Sequence, residues 1–485
     1  MKVKLILPAL TEAKSSFRRP IKYCLFPPLG LATLAAYLGD DDGVELCHEQ
    51  IDPLDLNDEP DLVGIEVYIA SAYRAYEIAD HYRRKGAHVA LGGLHVTSMP
   101  DEAAKHADTI FVGPGDDSWP RFLEDFRAGT PGRLYRSTVR QLAGTPRPRR
   151  DLIKTHKYLV PNSVVVSRGC PHSCDFCYKQ GFFAGGKSFY TRLVDEALDE
   201  IDSLAGRHLY FLDDNLFADT RFVTALTDGM RGMGRVWQAA GTVQSILQPG
   251  LMESAAESGL RSLFVGFESI NGANLASYGK HQNRRGDYEE AITRLHELGV
   301  MINASFVFGM DDDDPSVFDR TVEWAVSQGI ETATFHILTP YPGTALHARL
   351  SEEGRITSNN WSLYDTRHTV FQPARMTVHE LEDGYHRAYR EFYRWRSILS
   401  AAWTKDGRGE KLRHVAYAGG WKKFEGVWGL LIKTGVLAKA RPVLERVLGG
   451  KRLGGSPSAS LRTGLALPKP IFPPRPARPG CEESA

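Results

Sequence analysis

The stretch SRGCPHSCDFCYKQ, Ser167 to Gln180, holds three of the six cysteines within eight residues: Cys170, Cys174 and Cys177, spaced C-x3-C-x2-C. It directly follows SVVVSRG (163–169), a β-branched run bounded by Gly that reads as a strand. The cysteines therefore occupy the loop at that strand's carboxyl end, the active face of a parallel βα architecture. Three thiolates on one short loop can converge on a single soft metal centre. A closed structural zinc site or an ordinary iron–sulfur cluster takes four ligands. No fourth cysteine lies nearby, since Cys24, Cys47 and Cys481 are scattered. Three ligands on a cubane leave one iron open, the mark of a centre that binds something else and does chemistry. The alternative is zinc held by the three cysteines and His172. That histidine lies two residues from both Cys170 and Cys174, which is awkward for tetrahedral closure.

Outward from the cysteines, apolar runs recur at 208–214, 235–242, 262–269, 302–310 and 332–340, with helical stretches between them. In TRLVDEALDEIDSLAG (191–206), Val194, Leu198, Ile201 and Leu204 keep helical spacing, as do Ala291, Ile292, Leu295 and Leu298 in DYEEAITRLHELG. Six βα units are fewer than the eight of a closed barrel, and periodicity does not choose between an open parallel sheet and an incomplete barrel. Ahead of them, residues 1–128 alternate VKLIL, VELCHE, LVGIEV, HVALGG and TIFVG with helical stretches, again the pattern of a parallel sheet. Gly92, Gly93 and Gly113 follow its fourth and fifth strands, where a ligand can approach the backbone or a plain turn needs them. Residues 129–160, rich in Gly, Pro and Arg, read as a linker.

The chain's 485 residues correspond to about three domains. Lys+Arg and Asp+Glu are both 59, which argues against a nucleic-acid binder. Hydrophobic residues at 42% and charged residues at 24% fit an ordinary globular protein, and six cysteines are too few for a disulfide scaffold. No run of about 18 apolar residues suggests a membrane span. MKVKLILPAL reads as a buried first strand and not a secretory signal. Residues 375–452 read as helical. From Lys405 to Arg452 there are twelve Lys/Arg against four Asp/Glu, with Trp403, Trp421, Phe424 and Trp428 interleaved. Such a stretch either contacts an anionic membrane surface or is a solvated helical face packed on the barrel. The tail 453–485, with seven prolines and few large apolar residues, is expected to be disordered.

The cysteine spacing after the first of six βα units resembles the radical S-adenosylmethionine superfamily, whose motif is C-x3-C-Φ-C. Phe176 stands at the aromatic place. The resemblance implies a partial (β/α)6 barrel over 161–374 and a [4Fe–4S] cluster on Cys170, Cys174 and Cys177. It implies S-adenosylmethionine chelated to the fourth iron and cleaved by one electron to a 5′-deoxyadenosyl radical. Asp213 and Asp214 end the second barrel strand, where relatives carry a glycine-rich, acid-ended motif handling the methionyl amino group. Here Asp-Asp-Asn replaces Gly-Gly-Glu, so the role is carried only to the pair. Glu268 matches an acidic position that contacts S-adenosylmethionine in relatives; the competing reading is a salt-bridged barrel carboxylate. SFVFGM resembles the adenine-side motif, and the carboxylates 311–314 beyond it read as solvated or helix-capping. Gln244, Ser245, Tyr341 and Thr344 are candidates to line the mouth, and Arg192 a candidate to pair with a carboxylate.

The front segment, PPLGLATLAAYL through GGLHVTSMPDEA to ADTIFVGPGDD, is similar to the Rossmann-like, flavodoxin-like cobalamin-binding domain of class B methyltransferases, hopanoid-modifying enzymes and the anaerobic magnesium-protoporphyrin ester cyclase. In such domains the nucleotide tail enters the sheet's carboxyl edge near the Gly-Gly turn. The D-x-H-x-x-G motif supplying an axial histidine is missing here. Cobalamin is therefore expected without a protein imidazole, or else the domain is a scaffold. His95, after Gly92-Gly93, is either near that site or merely hydrogen-bonded. The resemblance implies C-methylation of an unactivated carbon in a lipid-like or natural-product substrate, fed by a reductase, flavodoxin or ferredoxin. The alternative is radical rearrangement, cyclisation or oxidation. An oxygen-sensitive cluster also predicts a reducing, cytoplasmic setting.

Overall fold

The computed structural model describes residues 1–10, 25–422 and 437–449. Cys24, Cys481, Phe424, Trp428 and the tail 453–485 lie outside the described residues. The apolar β-branched runs become the strands β1 (Lys2–Leu7), β2 (Gly43–His48), β3 (Leu62–Glu66), β4 (His88–Gly92) and β5 (Thr109–Val112). They form a parallel sheet in the order β2-β1-β3-β4-β5, extended by β6 (Leu134–Arg136) on β5. That is the flavodoxin-like order, whose ligand crevice opens where the strand order reverses, outside the carboxyl ends of β1 and β3. The sixth strand lies in the segment expected as a linker. Its three residues, flanked by Gly, Pro and Arg, are too short to show a period.

The second sheet is built from β7 (Ser163–Val164), β10 (His208–Phe211), β11 (Val236–Gly241), β12 (Leu260–Glu268), β13 (Met301–Phe308) and β14 (Thr332–Ile337). All neighbours pair in parallel in sequential order, and β7 and β14 are the two edges. This open arc is the expected partial (β/α)6 barrel. Its core is dominated by Leu209, Phe211, Trp237, Leu263, Phe267 and Phe306, each at most 1% exposed. The expected strand 163–169 divides in two. Only β7 joins the barrel; β8 (Ser167–Gly169) pairs antiparallel with β9 (Phe189–Thr191). The break has a physical cause. The Val166 and Ser167 N–H groups donate to the Asp213 carboxylate, with Val166 at 3.1 Å, and so leave the barrel ladder.

Behind the barrel, helices Val378–Phe392, Trp395–Trp403, Arg408–Lys422 and Leu437–Gly449 form the expected helical region. Two of the cations read as surface charge turn inward. Lys405 Nζ lies 2.6 Å from Glu331 at the foot of β14, and Arg413 donates to the Gly299 carbonyl at 2.7 Å. Among the described residues, no helix is long and apolar enough to cross a membrane.

Barrel strand β10 begins with His208, which is 7% exposed and lies 2.7 Å from the Gln238 amide. Burial pushes its pKa from 6.5 down to about 4, so the folded chain holds it neutral. A depressed histidine adds stability above pH 6.5 that is lost as the pH falls from 6.5 towards 4. His208→Gln should therefore remove about 2 kcal/mol of acid-induced destabilisation at pH 5. Urea unfolding of both proteins at pH 7.5 and pH 5 checks this; parallel losses would refute it.

Candidate active site

The cysteine loop hangs from the second barrel strand. Asp213, 4% exposed, accepts from the Val166 and Ser167 N–H groups and from the Ser167 hydroxyl at 2.6 Å. Burial raises its pKa to about 7, against the pull of these donors. Asp214 accepts from the Gly169 N–H at 2.9 Å and pairs with Lys179. The aspartate pair thus grips the backbone and flank of the cysteine loop.

The thiols sit among amide donors. Gln282 Nε2 lies 3.3 Å from Cys174 Sγ and Asn215 Nδ2 lies 3.7 Å from Cys170 Sγ. Such contacts suit sulfur that carries ligand charge. Burial pushes the Cys174 and Cys177 thiols up, opposed at Cys174 by Lys280 and at Cys177 by Lys179. Among the described residues no three His, Cys, Asp or Glu side chains converge as ligands of one ion do. Three soft thiolate donors on one loop fit a [4Fe–4S] cluster, whose ligands bind different irons.

Glu268 closes β12 at φ 63°, a left-handed conformation that costs a non-glycine residue about 1 kcal/mol. Its carboxylate holds Lys280 Nζ at 2.6 Å, with Ser305 Oγ at 3.5 Å. Lys280 in turn lies 6.0 Å from the Phe176 ring centroid. Burial alone would lower the Lys280 pKa, but Glu268 and the neighbouring Cys174 hold it above the ordinary value. The carboxylate is therefore ion-paired beside the cysteine loop. Lys280 and Gln282 were missed in the sequence because GKHQN carries no motif.

Several other candidates have structural duties. Arg192 pairs with Glu200 at 2.5 Å, Ser245 shares a capping box with Thr242, and Thr344 caps helix Ala345–Glu352. Asp313 caps the Gly309 and Met310 N–H groups, while Asp311 pairs with Arg349 and Arg355. Gln244 lines an open cleft of about 720 Å³ beside the cysteine loop, with His172 and Gln282. His95 is fully buried against Glu102 at 3.0 Å and does not line the front cavity.

The front sheet's carboxyl edge carries a narrow, open-sided cavity of about 130 Å³. Gly92, Gly93 and Gly113 line it, joined by Gly30, Gly64 and Gly115. Gly93 stands at φ 111° with Val67 backbone atoms 3.0 Å from where a Cβ would sit, so no side chain fits there. This glycine-floored slot, apolar on Leu31, Ile65 and Trp119, suits the tail of a large cofactor such as cobalamin. Arg168 and Phe182 also line it. Arg168 lies two residues before Cys170 and Phe182 five after Cys177, and Arg168 bridges to Asp116, in the turn after β5, at 3.2 Å. The slot and the cysteine loop therefore share a wall.

Comparison with known proteins agrees with this layout. Residues 164–325 match the Radical SAM superfamily, 23–123 the B12 binding domain and 344–448 a domain of unknown function, DUF4070. The chain is 30% identical over 352 residues to the bacteriochlorophyllide d C-12(1)-methyltransferase of Chlorobaculum tepidum, covering 70% of this chain and 76% of the relative. It is 28% identical over 393 residues to that organism's bacteriochlorophyllide d C-8(2)-methyltransferase, covering 76% and 86%. The fold is similar to that of the radical S-adenosylmethionine methyltransferase TsrM from Kitasatospora setae. There the TM-score is 0.61 at 16% identity, over 90% of this chain and 99% of that one. The chain belongs to the radical S-adenosylmethionine superfamily, among the enzymes that join a B12 binding domain to the barrel and use a [4Fe–4S] cluster, S-adenosylmethionine and cobalamin.

Proposed function

We propose that this enzyme methylates an unactivated sp3 carbon of an apolar small molecule of the lipid or natural-product kind. The carrying observation is the shared wall: Arg168 and Phe182, flanking the cysteines, also line the glycine slot. A substrate held there can meet both cofactors without crossing solvent. When bound, the cluster and S-adenosylmethionine supply a hydrogen-abstracting 5′-deoxyadenosyl radical, and methylcobalamin supplies the methyl group. Cys170, Cys174 and Cys177 hold the cluster, with Phe176 and the Lys280–Glu268 pair beside it. Asp213 and Asp214 fix the loop that presents the thiols. Gly92, Gly93 and Gly113 leave room for the corrinoid tail. Tyr341, a candidate for the mouth, packs half-buried against the core of the front sheet, and burial pushes its phenol pKa up. The relatives' names, both methyltransferases, support methyl transfer over cyclisation or oxidation. A flavodoxin- or ferredoxin-type donor feeds the electron.

Gly30 offers a clean test of the slot. It lies in helix Leu29–Ala35, is exposed, and has nothing nearer its would-be Cβ than Glu66 Oε2 at 3.7 Å. Gly30→Leu should fill the slot while changing stability by less than about 0.5 kcal/mol. Protein produced with cobalamin should show a corrinoid absorption band, and the variant should retain corrinoid about 10–100-fold more weakly. Equal retention would remove the slot from the account. A wild-type protein whose radical chemistry proceeds unchanged without corrinoid would favour rearrangement, cyclisation or oxidation.

A further inference from the structure

We propose that the outer face of helix Trp395–Trp403, together with Leu412 on the next helix, seats this protein on an anionic membrane surface. The helix is apolar on two sides. Ile398, Ala401 and Ala402 are buried against the body of the protein, while Leu399 and Trp403, spaced i, i+4, face outward at 47% and 73% exposure; Trp395, half exposed, packs its ring against Gly419 of the next helix. Leu412 is 72% exposed. Nine large apolar side chains are at least 40% exposed among the described residues, and four of them fall within these 18 positions. A helix apolar on both faces needs a second apolar environment. Singly scattered apolar residues need no explanation, but a cluster does.

Charge decides what kind of surface this is. Arg396, Arg408 and Lys411 make no ion pair among the described residues, and the Lys411 ammonium lies 4.3 Å from the Trp403 ring centroid. The nearby acids Asp406 and Glu410 are exposed and fewer. In sequence, 405–452 carries twelve Lys/Arg against four Asp/Glu. Indoles and leucines among unpaired cations match an interface with apolar depth and negative headgroups. Lys405 and Arg413, spent on Glu331 and Gly299, take no part. Among the described residues no helix is long and apolar enough to cross a bilayer.

The test uses the full-length holoenzyme and sucrose-loaded vesicles of phosphatidylcholine, alone or mixed with phosphatidylglycerol. Sedimentation is expected with the mixed vesicles only, and it should weaken as salt is raised. Trp403→Ser combined with Leu412→Ser should lower vesicle binding about tenfold. The same variant should form 5′-deoxyadenosine at the wild-type rate, which separates this proposal from the catalytic reading. Wild-type protein that stays in the supernatant with anionic vesicles would overturn the proposal, as would a variant that sediments equally. A vesicle-independent dimer that the double substitution dissolves would also overturn it, by assigning the face to a second copy.

Discussion

Cys174→Ala is expected to abolish dithionite-dependent cleavage of S-adenosylmethionine, by at least about 1,000-fold, while leaving the front domain folded. The reason lies in ligand count. The loop offers three cysteines and no nearby fourth, so losing one leaves two anchors for a cluster that needs three. Cys174 is also the thiol that Gln282 and Lys280 face, at 3.3 Å for the Gln282 amide. Iron content should fall with activity, and corrinoid content should stay at the wild-type level, because the slot is floored by glycines of the other sheet. Iron assay, corrinoid absorbance and nucleoside chromatography on one preparation check all three. Full nucleoside formation by the variant would show that Cys174 is not a cluster ligand.

Glu331→Ala is expected to cost about 3–5 kcal/mol of stability, the largest loss predicted for any position remote from the cysteines. Glu331 is 4% exposed at the barrel floor, accepts from the Ile302 N–H at 2.9 Å, and pairs with Lys405 at 2.6 Å and His296 at 3.4 Å. Burial alone would raise its pKa, but His296 and Lys405 hold it well below 4.5. A depressed carboxylate stabilises the fold above its unfolded value near 4.5 and loses that contribution as the pH falls through its folded value. Removing it leaves the Lys405 ammonium, itself 9% exposed, with the His296 ring but without its carboxylate. Denaturant unfolding measures the loss, and limited proteolysis should open the helices after Trp395 first. A loss under about 1 kcal/mol would mean that the helical region is held by apolar packing alone.

That pair also shows where sequence reading stops. Glu331 and Lys405 lie far apart in the chain, and a lone lysine in a basic run reads as surface charge. Only the fold reveals that one cation of that run is a staple while Trp403, two residues earlier, faces out. The strands of both sheets were legible because β-branched apolar runs alternate with helical periods. The short β6 and the β8–β9 ribbon were not, since three-residue strands have no period and their pairing depends on Asp213 drawing backbone donors away. In the site, the three cysteines and the slot glycines stood out by spacing and by position after strands. The Lys280–Glu268 pair and the Arg168–Asp116 bridge did not, because each joins residues from separate elements.

The most direct test of the account is 5′-deoxyadenosine formation by the anaerobically reconstituted full-length enzyme, with iron, sulfide and zinc measured on the same sample. The account predicts about four irons and four sulfides per chain and nucleoside formed only when dithionite and S-adenosylmethionine are both present. One zinc per chain with no nucleoside product would contradict it.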